Sequence, residues 1–118
     1  MLYRLQVMAD SLDPQGKTFQ ARGGNPELSP EEAERIAAEL EAGAVVRFYR
    51  GGPPQGRIVT ARATEDGLWL KIRIRPNHAD HWKIVESGAV NTVEIQPLPK
   101  GVDVFLKSQA ATYPSMMS

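Results

Sequence analysis

Residues 57–75 read RIVTARATEDGLWLKIRIR, and this run decides the fold class. From position 68 the side chains alternate without a break. Leu68, Leu70, Ile72 and Ile74 fall on one side, and Trp69, Lys71, Arg73 and Arg75 on the other. Successive strand residues point to opposite faces, so a hydrophobic period of two marks a strand with one face in a core. Residues 57–63 also read as a strand, and Glu65-Asp66-Gly67 joins the two segments. Asp-Gly provides the backbone freedom that a tight turn demands, which predicts an antiparallel hairpin. The second face, with its cations and tryptophan, is expected to be wet or an interface.

Working outward, residues 44–49 are rich in strand formers, and Gly51-Gly52-Pro53-Pro54 ends them. That glycine-rich segment lacks the Lys-Ser/Thr of a phosphate loop and no helix follows it, so it reads as a turn. Residues 90–96 and 102–107 read as two further strands around Pro97-Leu98-Pro99-Lys100-Gly101. Residues 2–8 alternate well enough for a first strand. The stretch 9–28 contains Asp13-Pro14-Gln15-Gly16 and Gly23-Gly24-Asn25-Pro26, turn formers that predict an extended, partly ordered arm.

A helix begins at Ser29. The serine is an N-cap, Pro30 suits the first helical position, and Glu32 completes a capping box. Ala33, Ile36, Ala37 and Leu40 share one face, while Glu31, Glu34, Arg35 and Glu39 solvate the other; Gly43 ends the helix. A shorter helix is expected over 78–87, with Asn77 as N-cap, Trp82 and Val85 on one side and Gly88 as stop. The last eleven residues, SQAATYPSMMS, show no period and form a tail, disordered or ordered only by a neighbour. The expectation is one α+β, strand-rich domain over 1–118, with an arm at about 9–28 and a tail at about 108–118. Its architecture is a small, partly closed β-barrel or curled antiparallel sheet of about six strands with two flanking helices.

The bulk composition excludes several classes of function. Formal net charge is zero, so the chain as a whole exerts no long-range pull on nucleic acid or anionic lipid. There is no cysteine, hence no disulfide, thiolate nucleophile or thiolate zinc site. No apolar run approaches a membrane span of roughly 20 residues, and MLYRLQVMADSLD lacks the order of a signal peptide. Cytoplasmic origin is the default expectation.

Candidate chemistry is sparse. His78 and His81 stand three apart beside Asp80, but no third metal ligand is suggested by spacing, so solvated polar residues are expected. A serine nucleophile needs a positioned base, and the only histidines share one short segment. Arg47, Arg50, Arg57, Arg62, Lys71, Arg73 and Arg75 crowd the central strands beside Tyr49 and Trp69. Such a face can bind nucleic acid. The balanced charge favours pairing with the acidic helix region, Glu27 to Glu41, within the monomer or across a subunit contact.

Three segments carry a resemblance: VVRFYRGGPPQGRIV at 45–59, EDGLWLKIRI at 65–74 and IVESGAVNTVEIQP at 84–97. In order and spacing, the block from 44 to 97 resembles the core of the tailed-phage prohead (capsid-maturation) proteases. There a strand ends near a histidine, a hairpin and helix follow, and a serine lies on a later strand. The resemblance puts the histidine position near Tyr49 or Arg50 and the serine position on Glu94. A carboxylate cannot do the serine's acyl chemistry, and neither Tyr nor Arg acts as a base near neutral pH. Glu94 is expected to be an exposed strand carboxylate, or to pair with Arg50 or a neighbouring arginine if it faces a groove.

The resemblance thus implies the protease fold without catalysis: no catalytic residues, no cofactor and no metal. It suggests a virion structural protein, foremost a capsid cement or decoration protein that binds the major capsid protein, with copies of itself as a second candidate partner, in the virion and in host cytoplasm during assembly. Nucleic acid and membrane are not expected partners. The expected contacts are Trp69, Lys71 and Arg73 on the outward strand face, Leu12 and Phe19 in the arm, and Tyr113, Met116 and Met117 in the tail. The alternatives are a nucleic-acid-binding small barrel and an active protease using residues such as Ser87 and His81.

Overall fold

Strand pairing is organised around the expected hairpin. In the computed structural model, which describes residues 2–24, 28–75 and 79–108, strands β4 (Gly56–Thr64) and β5 (Gly67–Ile74) pair antiparallel up to Thr64 opposite Gly67. A bulge between Ile58 and Thr60 leaves Val59 extra on β4 and turned to solvent. Leu68, Leu70, Ile72 and Ile74 are all fully buried, as their alternation requires.

The other edge of β5 is taken by β2 (Thr18–Gly23), paired from Thr18 opposite Arg73 to Gly23 opposite Leu68. Residues 18–23 are therefore a barrel strand, not part of an arm. Asp13 bridges Thr18, and its carboxylate accepts the amides of Gln15 and Gly16, so the Asp-Pro-Gln-Gly turn folds the chain back on itself. Only Phe19 and Ala21 carry the inward pattern within β2, too short a period to recognise in the sequence.

β1 (Tyr3–Val7) pairs with β2 and with β6 (Thr92–Pro97), and β6 forms a hairpin with β7 (Val102–Lys107). β3 (Val45–Arg47) lies parallel to β7 and antiparallel to β4. The order β1-β2-β5-β4-β3-β7-β6 closes on itself, giving an α+β, strand-rich fold with a seven-stranded mixed barrel and two helices. Closure leaves no sheet edge running the length of the barrel.

Where β3 is too short to cover β4, helix α1 (Pro30–Glu41) takes over. Beyond Gly56 and Arg57, β4 has no β3 partner; Ala61 N–H instead donates to Glu41 Oε2 at 3.3 Å. The helix starts as expected, with Ser29 Oγ accepting from Glu32 N–H at 3.1 Å. Only half of the capping box forms, because the Glu32 carboxylate turns to Arg35. Ala33, Ile36, Ala37 and Leu40 are buried in the core. Helix α2 (Ala79–Glu86) adds Trp82 and Val85 to the same core. Among the described residues no helix is long and apolar enough to cross a membrane.

Gly67 is the most closely approached of the described glycines. Its φ is +141°, and a Cβ there would sit 2.1 Å from the carbonyl oxygen of Gly23. No side chain fits where β5 starts against the end of β2.

Candidate functional site

Two outward surfaces of the barrel carry the residues that the sequence singles out. The first lies on β1, β6 and β7. Register sets Glu94 between Arg4 on one side and Phe105 on the other. Arg4 Nε lies 3.1 Å from Glu94 Oε2, and the Glu94 side chain retains 14% exposure against 54% for Arg4. Glu94 is therefore not exposed; it faces a groove and pairs with a neighbouring arginine, Arg4 across the β1–β6 register, rather than with Arg50. Arg50 is engaged elsewhere. It donates to Gln96 Oε1, lies 3.6 Å from Asp103 Oδ2, and stacks 5.4 Å above the Phe105 ring. Gln96 and Asp103 are direct cross-strand partners, so one guanidinium spans the rung.

Phe105 belongs to the outward side of β7, yet it is only 5% exposed. Arg50 stacks over it and Glu94 stands opposite it. Leu2, Arg50, Glu94, Gln96, Phe105 and Lys107 line a shallow groove of about 220 Å³. Arg50, one of the two positions near which the resemblance puts the histidine, thus shares a groove with Glu94, where it puts the serine; Tyr49 does not line that groove.

Of the four described serines, three are occupied locally and Ser108 is exposed. Ser11 Oγ donates to Met8 O at 2.6 Å, Ser29 caps α1, and Ser87 Oγ donates to Ile84 O at 2.9 Å. The His81 ring stacks on Phe48 with centroids 5.0 Å apart. Among the described residues no group of three His, Asp or Glu side chains converges as a metal site; His78 lies outside them.

The second surface is the outer face of β2, β5 and β4. Register aligns three rungs: Thr18–Arg73–Arg57, Gln20–Lys71–Thr60 and Arg22–Trp69–Arg62. In the last rung Arg62 stacks 5.3 Å over the Trp69 ring, Trp69 Nε1 donates to Gln20 Oε1 at 3.2 Å, and Arg22 reaches Asp66 at 3.3 Å. In the first, two arginines stand directly opposite each other, an arrangement that costs stability. Arg57, Arg73 and Arg75, with Gly43, Val45, Pro54 and Gly56, line a half-open cleft of about 600 Å³. Arg75 donates to Pro54 O at 3.2 Å. Among the described residues Arg57, Arg62, Lys71, Arg73 and Arg75 have no carboxylate partner.

The expected intramolecular pairing with the acidic helix is therefore absent among the described residues. Along α1, Glu32 pairs internally with Arg35 at 2.7 Å, which holds its carboxyl below the usual glutamate range and raises the Arg35 guanidinium. Glu41 binds the Ala61 amide, and Glu31 and Glu34 are exposed without an ion pair. The barrel wall holds β4 cations outward and buries the apolar face of α1, so the two charge sets occupy separate surfaces.

Of the expected contact residues, Trp69 and Lys71 are half-buried and Arg73 exposed, all on this outer face. Phe19 is fully buried in the core and Leu12 is half-buried against it, so Phe19 is not a surface contact. Tyr113, Met116 and Met117 lie outside the described residues. Strand register brings Arg4 to Glu94, and no sequence signal marks that pair. No family model, curated protein or solved structure matches the chain.

Proposed function

We propose that this protein is a non-enzymatic structural subunit of a tailed-phage head, a cement-like domain that docks on protein neighbours in the shell through its outer β2–β5–β4 face. The observation that carries the reading is the groove at positions 50 and 94. The resemblance to prohead proteases puts the nucleophile at Glu94 and the base near Tyr49 or Arg50, and Arg50 lines a groove with Glu94. Positions 50 and 94 hold charged groups committed to structural bonds: Glu94 to Arg4, Arg50 to Asp103 and Gln96. A carboxylate neutralised by a neighbouring guanidinium is a poor nucleophile, and an arginine does not accept a proton at neutral pH. What remains is a rigid barrel with Trp69 and several arginines on its outer surface, residue types that dominate interface hot spots.

The test is co-sedimentation with assembled heads. Full-length protein pellets with particles built from the major capsid protein, and Trp69→Ala with Arg73→Ala weakens pelleting while the thermal transition is retained. Removing residues 109–118 probes the tail separately; removing the N-terminal 28 residues is uninformative, because it deletes β1 and β2. Particles that pellet without the protein, or cleavage of capsid protein that depends on Ser87 or His81, refute the proposal.

A further inference from the structure

We infer that the three-arginine cleft and the basic sheet face beside it are the receiving surface for helix α1 of a second copy of this chain. The inference rests on the docking role proposed above and names the neighbour. The charge inventory is balanced, with 14 basic and 14 acidic residues, yet it is divided in space. Arg57, Lys71, Arg73 and Arg75 lie on one surface without carboxylate partners, and Glu31 and Glu34 lie on α1 without ion pairs, the helix's one cation, Arg35, being held by Glu32. Opposed like charges on neighbouring strands are kept at a cost, and a carboxylate seated between Arg57 and Arg73 removes it. Guanidinium groups suit this task because their fixed fork grips a carboxylate with two hydrogen bonds.

The dimensions agree. On α1, Glu31 and Glu34 are exposed and three residues apart, about 4.5 Å along the axis. On the sheet, Arg57 and Arg73 stand opposite each other on neighbouring strands about 4.8 Å apart. Helix α1 packs chiefly on β4, the strand that carries Arg57 and Arg62. A two-fold axis between two copies then seats each helix on the other copy's sheet, making the contact twice. A polynucleotide is the less suitable occupant. Single-strand binding uses free aromatic faces, whereas the Trp69 ring lies under Arg62 and its indole nitrogen is held by Gln20.

Sedimentation velocity on the full chain tests this, at salt concentrations where charges are screened over about 30 Å and about 3 Å. The expected result is concentration-dependent self-association at low salt that is lost at high salt. Arg57→Glu with Arg73→Glu weakens it about tenfold or more, as does Glu31→Arg with Glu34→Arg. An equimolar mixture of the two variants associates again. All four substitutions are at exposed positions, and each variant is checked by its thermal transition. A protein that stays monomeric under all conditions overturns the inference, and so does failure of the mixture to associate. Binding of a 30-mer of thymidylate that is abolished by the arginine reversals overturns it in favour of nucleic acid. An unsubstituted protein that pellets with heads but does not self-associate refutes this inference alone; one that self-associates but does not pellet with heads refutes the head assignment alone.

Discussion

Substituting Phe19→Ala separates the two descriptions of residues 9–28 most sharply. If this stretch were an arm used to grip a neighbour, the change would weaken binding and leave the fold untouched. In the barrel, Phe19 is fully buried and belongs to the central cluster with Leu5, Ile72 and Ile95. Burial of a phenyl side chain of roughly 150–200 Å² at about 25 cal/mol per Å² is about 4–5 kcal/mol. Measured Phe→Ala changes in cores span about 3–5 kcal/mol. A domain of this length has a total stability of roughly 6–18 kcal/mol, so the variant loses between about a sixth and five-sixths of it. Its midpoint of thermal unfolding falls by about 12–20 °C. Urea denaturation followed by tryptophan fluorescence measures the loss, and an unchanged slope with denaturant shows that both proteins unfold from the same barrel. A loss under about 1 kcal/mol would mean that β2 is not part of the wall, and the assignment of the arm would have to be restored.

Gly67→Ala is expected to cost more than about 2 kcal/mol in the same denaturation assay, because the new methyl meets the Gly23 carbonyl in a backbone region that disfavours side chains; a neutral effect contradicts the β2–β5 register. Glu94→Ser removes one partially exposed ion pair, so stability changes by at most about 1 kcal/mol, and no casein hydrolysis appears; peptidase activity in this variant would show that a base stands within reach. The Asp66 carboxyl is held below the ordinary aspartate range, first by the Thr64 hydroxyl, then by its own backbone amide, then by Arg22. A depressed folded-state value means that its stabilisation is present above the unfolded value and is lost as pH falls through the folded one. In an NMR titration Thr64→Val moves the Asp66 transition upward; an unmoved transition removes the hydroxyl as the main cause.

Local signals carried the elements. The period of two in residues 68–74, the Asp-Gly turn and the Ser29 cap each act through neighbours a few residues away, and β5, its hairpin and α1 form where these patterns place them. β2 escaped because two inward residues make no recognisable period, and its strand identity comes from β1 and β5 on either side. The same divide holds for charge. The sequence by itself determined that the chain is neutral and cysteine-free, that it is strand-rich, and that position 94 is acidic. Only the closed barrel decided which charges meet, since Arg4 reaches Glu94 through strand pairing across 90 residues while Arg57 faces Arg73 rather than the helix acids. Net charge is a sum over residues; pairing depends on distance, and distance exists only after the strands have found their register.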